Sequence, residues 1–193
     1  MQYQAVVFDM DGVIFDTERL VIEFWKEVAK KHNIPNVEHT CIQCLGTNRV
    51  RTREIFLENY GADFPFDPYR AEVTELFNTH YKGVPLPTKP GIRELLSYLQ
   101  EQDIKVGLAS STAQHLVRDE IGTAGLLPYF QTLVCGDMVE HSKPAPDIFL
   151  KACEILNADP TKSIAIEDSF NGIRSAHCAG MTPIMVPDQV QPT

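Results

Sequence analysis

From Pro90 to Val186 short apolar runs alternate with amphipathic stretches, and this alternation constrains the fold more than any other feature. Pro90-Gly91 opens a helical pattern with Ile92, Leu95, Leu96 and Leu99 on one face. Ile104–Leu108 then reads as a strand, Ala113–Ile121 as a helix and Leu133–Cys135 as a strand. Pro146–Leu156 reads as a helix with proline in its first turn, and Ser163–Ile166 as a strand. Phe170–Ala179 follows as a helix ended by Gly180, and Thr182–Val186 as the last strand. Far upstream, Tyr3–Phe8 has the apolar, β-branched run of a strand buried on both faces. Such alternation implies an α/β fold, a doubly wound parallel sheet with helices on both faces.

The stretch after the first strand breaks the alternation. Thr17 is placed to cap a helix in which Leu20, Phe24 and Val28 form a stripe, widened by Val21 and Trp25. Helical pattern returns over 47–59 and 68–81, and no strand is expected between Thr17 and Lys82. Val84-Pro-Leu-Pro-Thr-Lys-Pro-Gly91 is a stiff connection of the kind that marks a boundary. A chain of 193 residues accommodates one generous domain or two small ones. The expected division is a core of 1–14 and 84–193, interrupted by an inserted helical unit, 15–83. No internal repeat or low-complexity segment is found.

Charge narrows the function. The net charge of −9 repels nucleic acid and anionic membrane, and no Lys/Arg cluster overrides it locally. A substrate phosphate meets the same repulsion, so a phosphate site must build its own positive pocket. No segment reads as a membrane span or a signal peptide, because the run Ala5–Phe8 stops at Asp9. Five scattered cysteines point to a reducing compartment, which makes the cytoplasm the expected location. A monomer is expected, with a small-molecule phosphate ester as its partner.

Parallel sheets bind ligands at the carboxyl ends of their strands. Those ends supply Asp9 and Asp11, then Ser110, Ser111 and Thr112, then Lys143, then Glu167 and Asp168. Carboxylates can hold Mg²⁺, while lysine, hydroxyls and backbone N–H groups bind phosphoryl oxygens. One carboxylate stays free to attack phosphorus and a second to move a proton. Each feature alone has an ordinary structural alternative. Asp-x-Asp-Gly can be a turn, the hydroxyl trio a helix N-cap, Lys143 a solvated loop lysine, and Glu167-Asp168 a favourable charge at a helix N-terminus. Their common placement at strand ends argues for a site.

In order, Val7-Phe8-Asp9-Met10-Asp11-Gly12-Val13, Gly107-Leu108-Ala109-Ser110-Ser111, Ser142-Lys143-Pro144-Ala145-Pro146-Asp147 and Ile166-Glu167-Asp168-Ser169 resemble the four motifs of the haloacid dehalogenase superfamily. The resemblance covers essentially the whole chain. It implies a Rossmann-like core with an inserted helical cap, as in the subfamily containing β-phosphoglucomutase and many sugar-phosphate phosphatases. Phe15-Asp16-Thr17 and Pro85–Pro90 would be the two hinges. By resemblance, Asp9 is the nucleophile and a Mg²⁺ ligand. Asp11 is the general acid and base, and its carbonyl binds the metal. Asp168 is a metal ligand and Glu167 a ligand or its neighbour. Ser110 and Lys143 hold the phosphoryl group with help from Ser111.

The resemblance leaves two chemistries, hydrolysis and phosphosugar mutation, which differ in the acceptor. A histidine of the mutase's first cap helix is replaced here by Val21, which favours a phosphatase acting on sugar phosphates. Trp25 matches an aromatic of the same helix and is read first as cap core. Leu45-Gly46-Thr47-Asn48-Arg49 resembles the mutase's substrate loop, so Gly46 and Arg49 are substrate-binding candidates, Arg49 for a second phosphate. A non-catalytic phosphometabolite-binding protein is the third class, but such relatives lose the nucleophile or a metal acid. Cys41-Ile-Gln-Cys44 has the spacing of half a zinc site, yet no second pair completes it. His32, His80, His115, His141 and His177 show no metal spacing. Relatives usually carry a further helix after the last strand, so the end at Thr193 points to a shortened chain or an abbreviated domain.

Overall fold

The computed structural model describes residues 3–192. Five strands, β1 (Ala5–Phe8), β2 (Lys105–Ser110), β3 (Thr132–Cys135), β4 (Ser163–Glu167) and β5 (Thr182–Met185), form one parallel sheet in the order β3-β2-β1-β4-β5. Central β1 is registered with Ala5 opposite both Lys105 and Ser163. Every residue of β1 is buried, as its unbroken apolar run requires.

Strand side chains alternate between two cores. Val6, Phe8, Val106 and Leu108 pack under Ile92, Leu96 and Leu99 of α5 (Ile92–Glu101) and Val117 and Ile121 of α6 (Gln114–Thr123). Ala5, Val7, Ala109 and Val134 pack on the other face under α7 (Asp147–Leu156) and α8 (Phe170–Cys178). Burying a side chain such as Phe8 contributes about 1.5–3 kcal/mol. The strand order reverses direction beside β1, the position at which open α/β sheets form their ligand crevice.

Four helices intervene between β1 and α5: α1 (Thr17–His32), α2 (Val37–Cys44), α3 (Arg49–Tyr60) and α4 (Phe66–Tyr81). They enclose an apolar cluster of their own around Trp25, Phe56 and Phe66. The Trp25 ring lies 4.4 Å from that of Phe56 and 5.9 Å from that of Phe66. The two connections to the sheet run side by side. Asp16 N–H donates to Pro87 O at 3.0 Å, and Lys89 N–H to Ile14 O at 2.8 Å. Lys89 Nζ then ties Asp16 (3.0 Å) to Asp188 beyond β5 (2.6 Å). Among the described residues no helix is long and apolar enough to cross a membrane.

Local details differ from the sequence reading. The sheet ladder starts at Ala5, two residues later than Tyr3, and β2 continues to Ser110, beyond Leu108. The helix α2 stands where periodicity gives no signal, because only Val37, Thr40 and Cys41 of its eight residues are buried. Thr17 is not an N-cap. Asp16 holds that position, and the Thr17 hydroxyl donates instead to Asp11 at 2.6 Å. Pro146 lies at the N-cap of α7 and not in its first turn.

Candidate active site

The backbone turns sharply where β1 ends. Ile14 and Phe15 N–H both reach back to Met10 O, and Gly12 N–H to Phe15 O. Gly12 has φ +77°, which a residue with a side chain rarely adopts. A β-carbon there would also fall 2.1 Å from Asp168 Oδ2. The glycine therefore lets the β1 turn close directly onto the end of β4, which brings Asp9 and Asp168 to one place.

Beneath Asp9 lies Lys143, only 1% exposed. Its ammonium donates to Asp9 Oδ1 (2.6 Å), Glu167 Oε1 (2.5 Å) and Ala109 O (3.0 Å), so all three protons are used. The second oxygen of Glu167 accepts from Asp168 N–H, Ser169 N–H and the Ser169 hydroxyl at 3.0–3.1 Å. Glu167 is thus fully engaged as the anchor of Lys143. Space for its carboxyl is provided by Gly172 of α8, where a β-carbon would lie 1.8 Å from it. Ser169, not Glu167 or Asp168, caps α8, accepting from Gly172 N–H at 3.0 Å.

Carboxylate oxygens of Asp9, Glu167 and Asp168 lie within 4.8 Å of one another, all buried. One lysine does not neutralise three acids. Burial, aided by the charges of Glu167 and Asp11 and opposed by Lys143, pushes Asp9 up to about 8. Burial and the neighbouring Asp9 charge push Asp168 up to about 10. Asp168 Oδ2 is buried without a hydrogen-bond partner. An all-oxygen, over-charged cluster with an orphaned oxygen suits a hard divalent cation.

Asp11 is held from two sides. Thr17 donates to Oδ1 at 2.6 Å and Thr112 to Oδ2 at 3.0 Å. Ser110 is fully buried and accepts from Thr112 N–H, while Ser111 donates to Gly46 O at 2.9 Å. That last contact belongs to a set that seats the loop between α2 and α3 on the sheet edge. Asn171 donates to Leu45 O, and Asn48 N–H donates to Ser142 Oγ, both at 3.0 Å. Gly46 approaches so closely that a β-carbon would meet Ser169 Oγ at 2.3 Å.

Between that edge and the helices lies a cavity of about 170 Å³. Asp9, Asp11, Gly46 and Ser111 border it, with Val21 and Trp25 from α1. Ser110 and Lys143 are buried at the same edge, behind these residues. Arg49, expected in the site, does not reach it. Its guanidinium is 74% exposed and pairs with Asp67 at 2.9 Å. Two charged lining residues escape the sequence reading, Glu18 and Arg70. Burial, with the charges of Asp11 and Asp9, holds Glu18 well above the usual carboxylate range. Its adjacency to Thr17 at the start of α1 was the available signal. Cys41 and Cys44 also border the cavity as free thiols. Burial raises both, Cys44 to about 12, which disfavours the thiolate that zinc or redox chemistry needs.

The chain is similar to known proteins over most of its length. The family model for haloacid dehalogenase-like hydrolases matches residues 6–186. A phosphorylated carbohydrates phosphatase of Thermotoga maritima is 33% identical over 181 residues, covering 94% of this chain and 83% of that protein. The β-phosphoglucomutase of Bacillus subtilis is 35% identical over 193 residues, covering 95% and 83%. Among solved structures, a β-phosphoglucomutase from Clostridium difficile superposes with a TM-score of 0.82 at 26% identity, covering 96% of this chain and 85% of that one.

Proposed function

The chain belongs to the haloacid dehalogenase-like hydrolases, and on that footing we propose that it is a Mg²⁺-dependent phosphatase of small phosphorylated carbohydrates, with Asp9 as nucleophile. The observation that carries this reading is the contrast between two carboxylates two residues apart. Asp9 is gripped through one oxygen by Lys143, which leaves the other to attack. Asp11 faces the same cavity between two threonine hydroxyls. Hydroxyls both give and take hydrogen bonds, so they can hold Asp11 in either protonation state.

In the proposed sequence an Asp9 oxygen attacks phosphorus, forming an aspartyl-phosphate as the ester P–O bond breaks. Asp11 gives its proton to the departing alkoxide. Asp11 then takes a proton from water, whose oxygen attacks phosphorus, and inorganic phosphate leaves with Asp9 regenerated. Lys143, its three protons held by Asp9, Glu167 and Ala109, contributes its charge to the phosphoryl group. The Ser110 hydroxyl donates to that group, joined by Ser111 once its hydroxyl turns from Gly46 O. Asp9, Asp168 and the Asp11 carbonyl would hold Mg²⁺, with Glu167 anchoring Lys143 beside them. The bound cation would neutralise the carboxylates and polarise the phosphoryl group. We read the helices of residues 15–83 as a cap whose Leu45–Asn48 loop closes over the sheet edge and excludes water from the first step.

A phosphosugar mutase is the second reading, favoured by the identity to the Bacillus subtilis β-phosphoglucomutase. Against it, Val21 presents a hydrocarbon side chain to the cavity where a mutase needs a polar contact. Incubation with Mg²⁺ and a panel of sugar monophosphates is expected to release inorganic phosphate. Efficient conversion of β-glucose 1-phosphate to glucose 6-phosphate with little free phosphate would establish the mutase instead.

A further inference from the structure

Arg70 is the only cation among the described residues that line the cavity. It enters from α4, whereas Asp9 and Asp11 enter from the sheet edge, and no ion pair joins them. One guanidinium nitrogen donates to Thr74 Oγ1, one turn further along the helix. Among the described residues Arg70 has no carboxylate within ion-pairing distance. The other arginine that is not exposed, Arg51, pairs with both Glu54 and Glu58. The nearby Arg49 adds repulsion, because burial and then the Arg49 charge both lower the Arg70 pKa. Asp67 satisfies Arg49 and Arg53 but leaves Arg70 alone.

A half-buried cation with most of its donors unused is costly unless a ligand supplies the opposite charge. We propose that Arg70 binds a second anionic group on the substrate, a carboxylate or a second phosphate remote from the phosphoryl group transferred at Asp9. The proposal rests on the phosphatase reading of the same cavity and narrows its substrate class. Sugar hydroxyls would occupy the N–H donors but leave the charge uncompensated. A carboxylate or phosphate matches both the charge and the planar fork of the guanidinium. Trp25 and Phe56 border the cavity without charge, and the acids that share its lining, Asp9, Asp11 and Glu18, form no ion pair with Arg70.

The test uses three esters sharing a 6-phosphate and differing at C1: glucose 6-phosphate (neutral), 6-phosphogluconate (carboxylate) and glucose 1,6-bisphosphate (phosphate). With Mg²⁺, kcat/KM for at least one dianionic-plus-anionic ester should exceed that for glucose 6-phosphate by about tenfold to a hundredfold, the range of a charge-assisted pair. Arg70→Gln should erase the difference, chiefly through KM, with the charged ester losing more than glucose 6-phosphate. Arg70→Lys should keep part of the preference, since it retains charge but not the fork. Which of the two charged esters benefits identifies the anion.

Glucose 6-phosphate turnover that is lost in Asp9→Asn reports on the phosphatase reading alone. Calorimetric binding of the three esters to Asp9→Asn, with and without Arg70→Gln, reports on Arg70 alone and requires no turnover. Equal binding of neutral and charged esters, or an equal loss for all three in Arg70→Gln, overturns the proposal.

Discussion

Lys143 Nζ donates to Asp9 Oδ1 at 2.6 Å across 134 positions of sequence, and both side chains are almost fully buried. The pair joins the loop after β3 to the end of β1, with Glu167 of β4 closing the triangle at 2.5 Å. Three strand ends are thereby tied through one ammonium group.

Removing that ammonium leaves two buried carboxylates unpaired. Lys143→Met should destabilise the protein by about 3–5 kcal/mol in urea unfolding. An Asp9→Asn variant should instead fold and lose turnover, because an amide is a poor nucleophile and a poor metal ligand. Near-normal turnover by Asp9→Asn would sink the covalent mechanism.

Gly172 is expected to be irreplaceable for a packing reason. A β-carbon there would lie 1.8 Å from the Glu167 carboxyl, which has no room to retreat. Gly172→Ala should cost about 1–3 kcal/mol and lower kcat by displacing Glu167, and with it Lys143. Stability and kcat both equal to wild type would show that Glu167 is not pinned as described.

The acid cluster predicts a linkage between cation and pH. Asp9 and Asp168 have folded-state values of about 8 and about 10, against 3.8 unperturbed. Without a cation each contributes stability that is fully present below about 4 and is lost as pH rises through its folded value. Mg²⁺ binds the ionised groups, so its affinity should rise with pH. The gain in Tm on adding Mg²⁺ is expected to be larger at about pH 8.5 than at about pH 6, with protons released on binding. A pH-independent gain would contradict it.

Lys89, on the second connection to the helical unit, pairs with Asp16 on the first at 3.0 Å and with Asp188 beyond β5 at 2.6 Å. The Asp188 side chain is 8% exposed, so this contact is poorly screened. Lys89→Met should cost about 2 kcal/mol, and adding Asp188→Asn should recover part of that loss. Hydrogen exchange of Asp16 and Lys89 N–H, which bond across the two connections, should accelerate in the single variant. Unchanged exchange would remove the ion pair from any account of cap movement.

The sheet and its chemistry were legible because a strand buried on both faces must be an unbroken apolar run. Asp9, Ser110 and Glu167 therefore stand out as the first polar residues after such runs, and the parallel fold carries all strand ends to one edge. Helices carry less information, since periodicity identifies a buried face but not what faces it. Nothing local distinguishes Arg49 from Arg70, for both lie on polar stretches of helices. Only the packing of α3 against α4 decides that Asp67 takes Arg49 outward and leaves Arg70 toward the cavity. Thr17 follows the same rule. Its place before a helix is a property of the sequence, but its bond to Asp11 exists because the Gly12 turn folds the chain back. Sequence alone determined which groups stand at the sheet edge, because burial is written in runs of neighbouring residues. Which charges remain unpaired above that edge depends on distances between residues far apart in the chain, and the tertiary structure decided it.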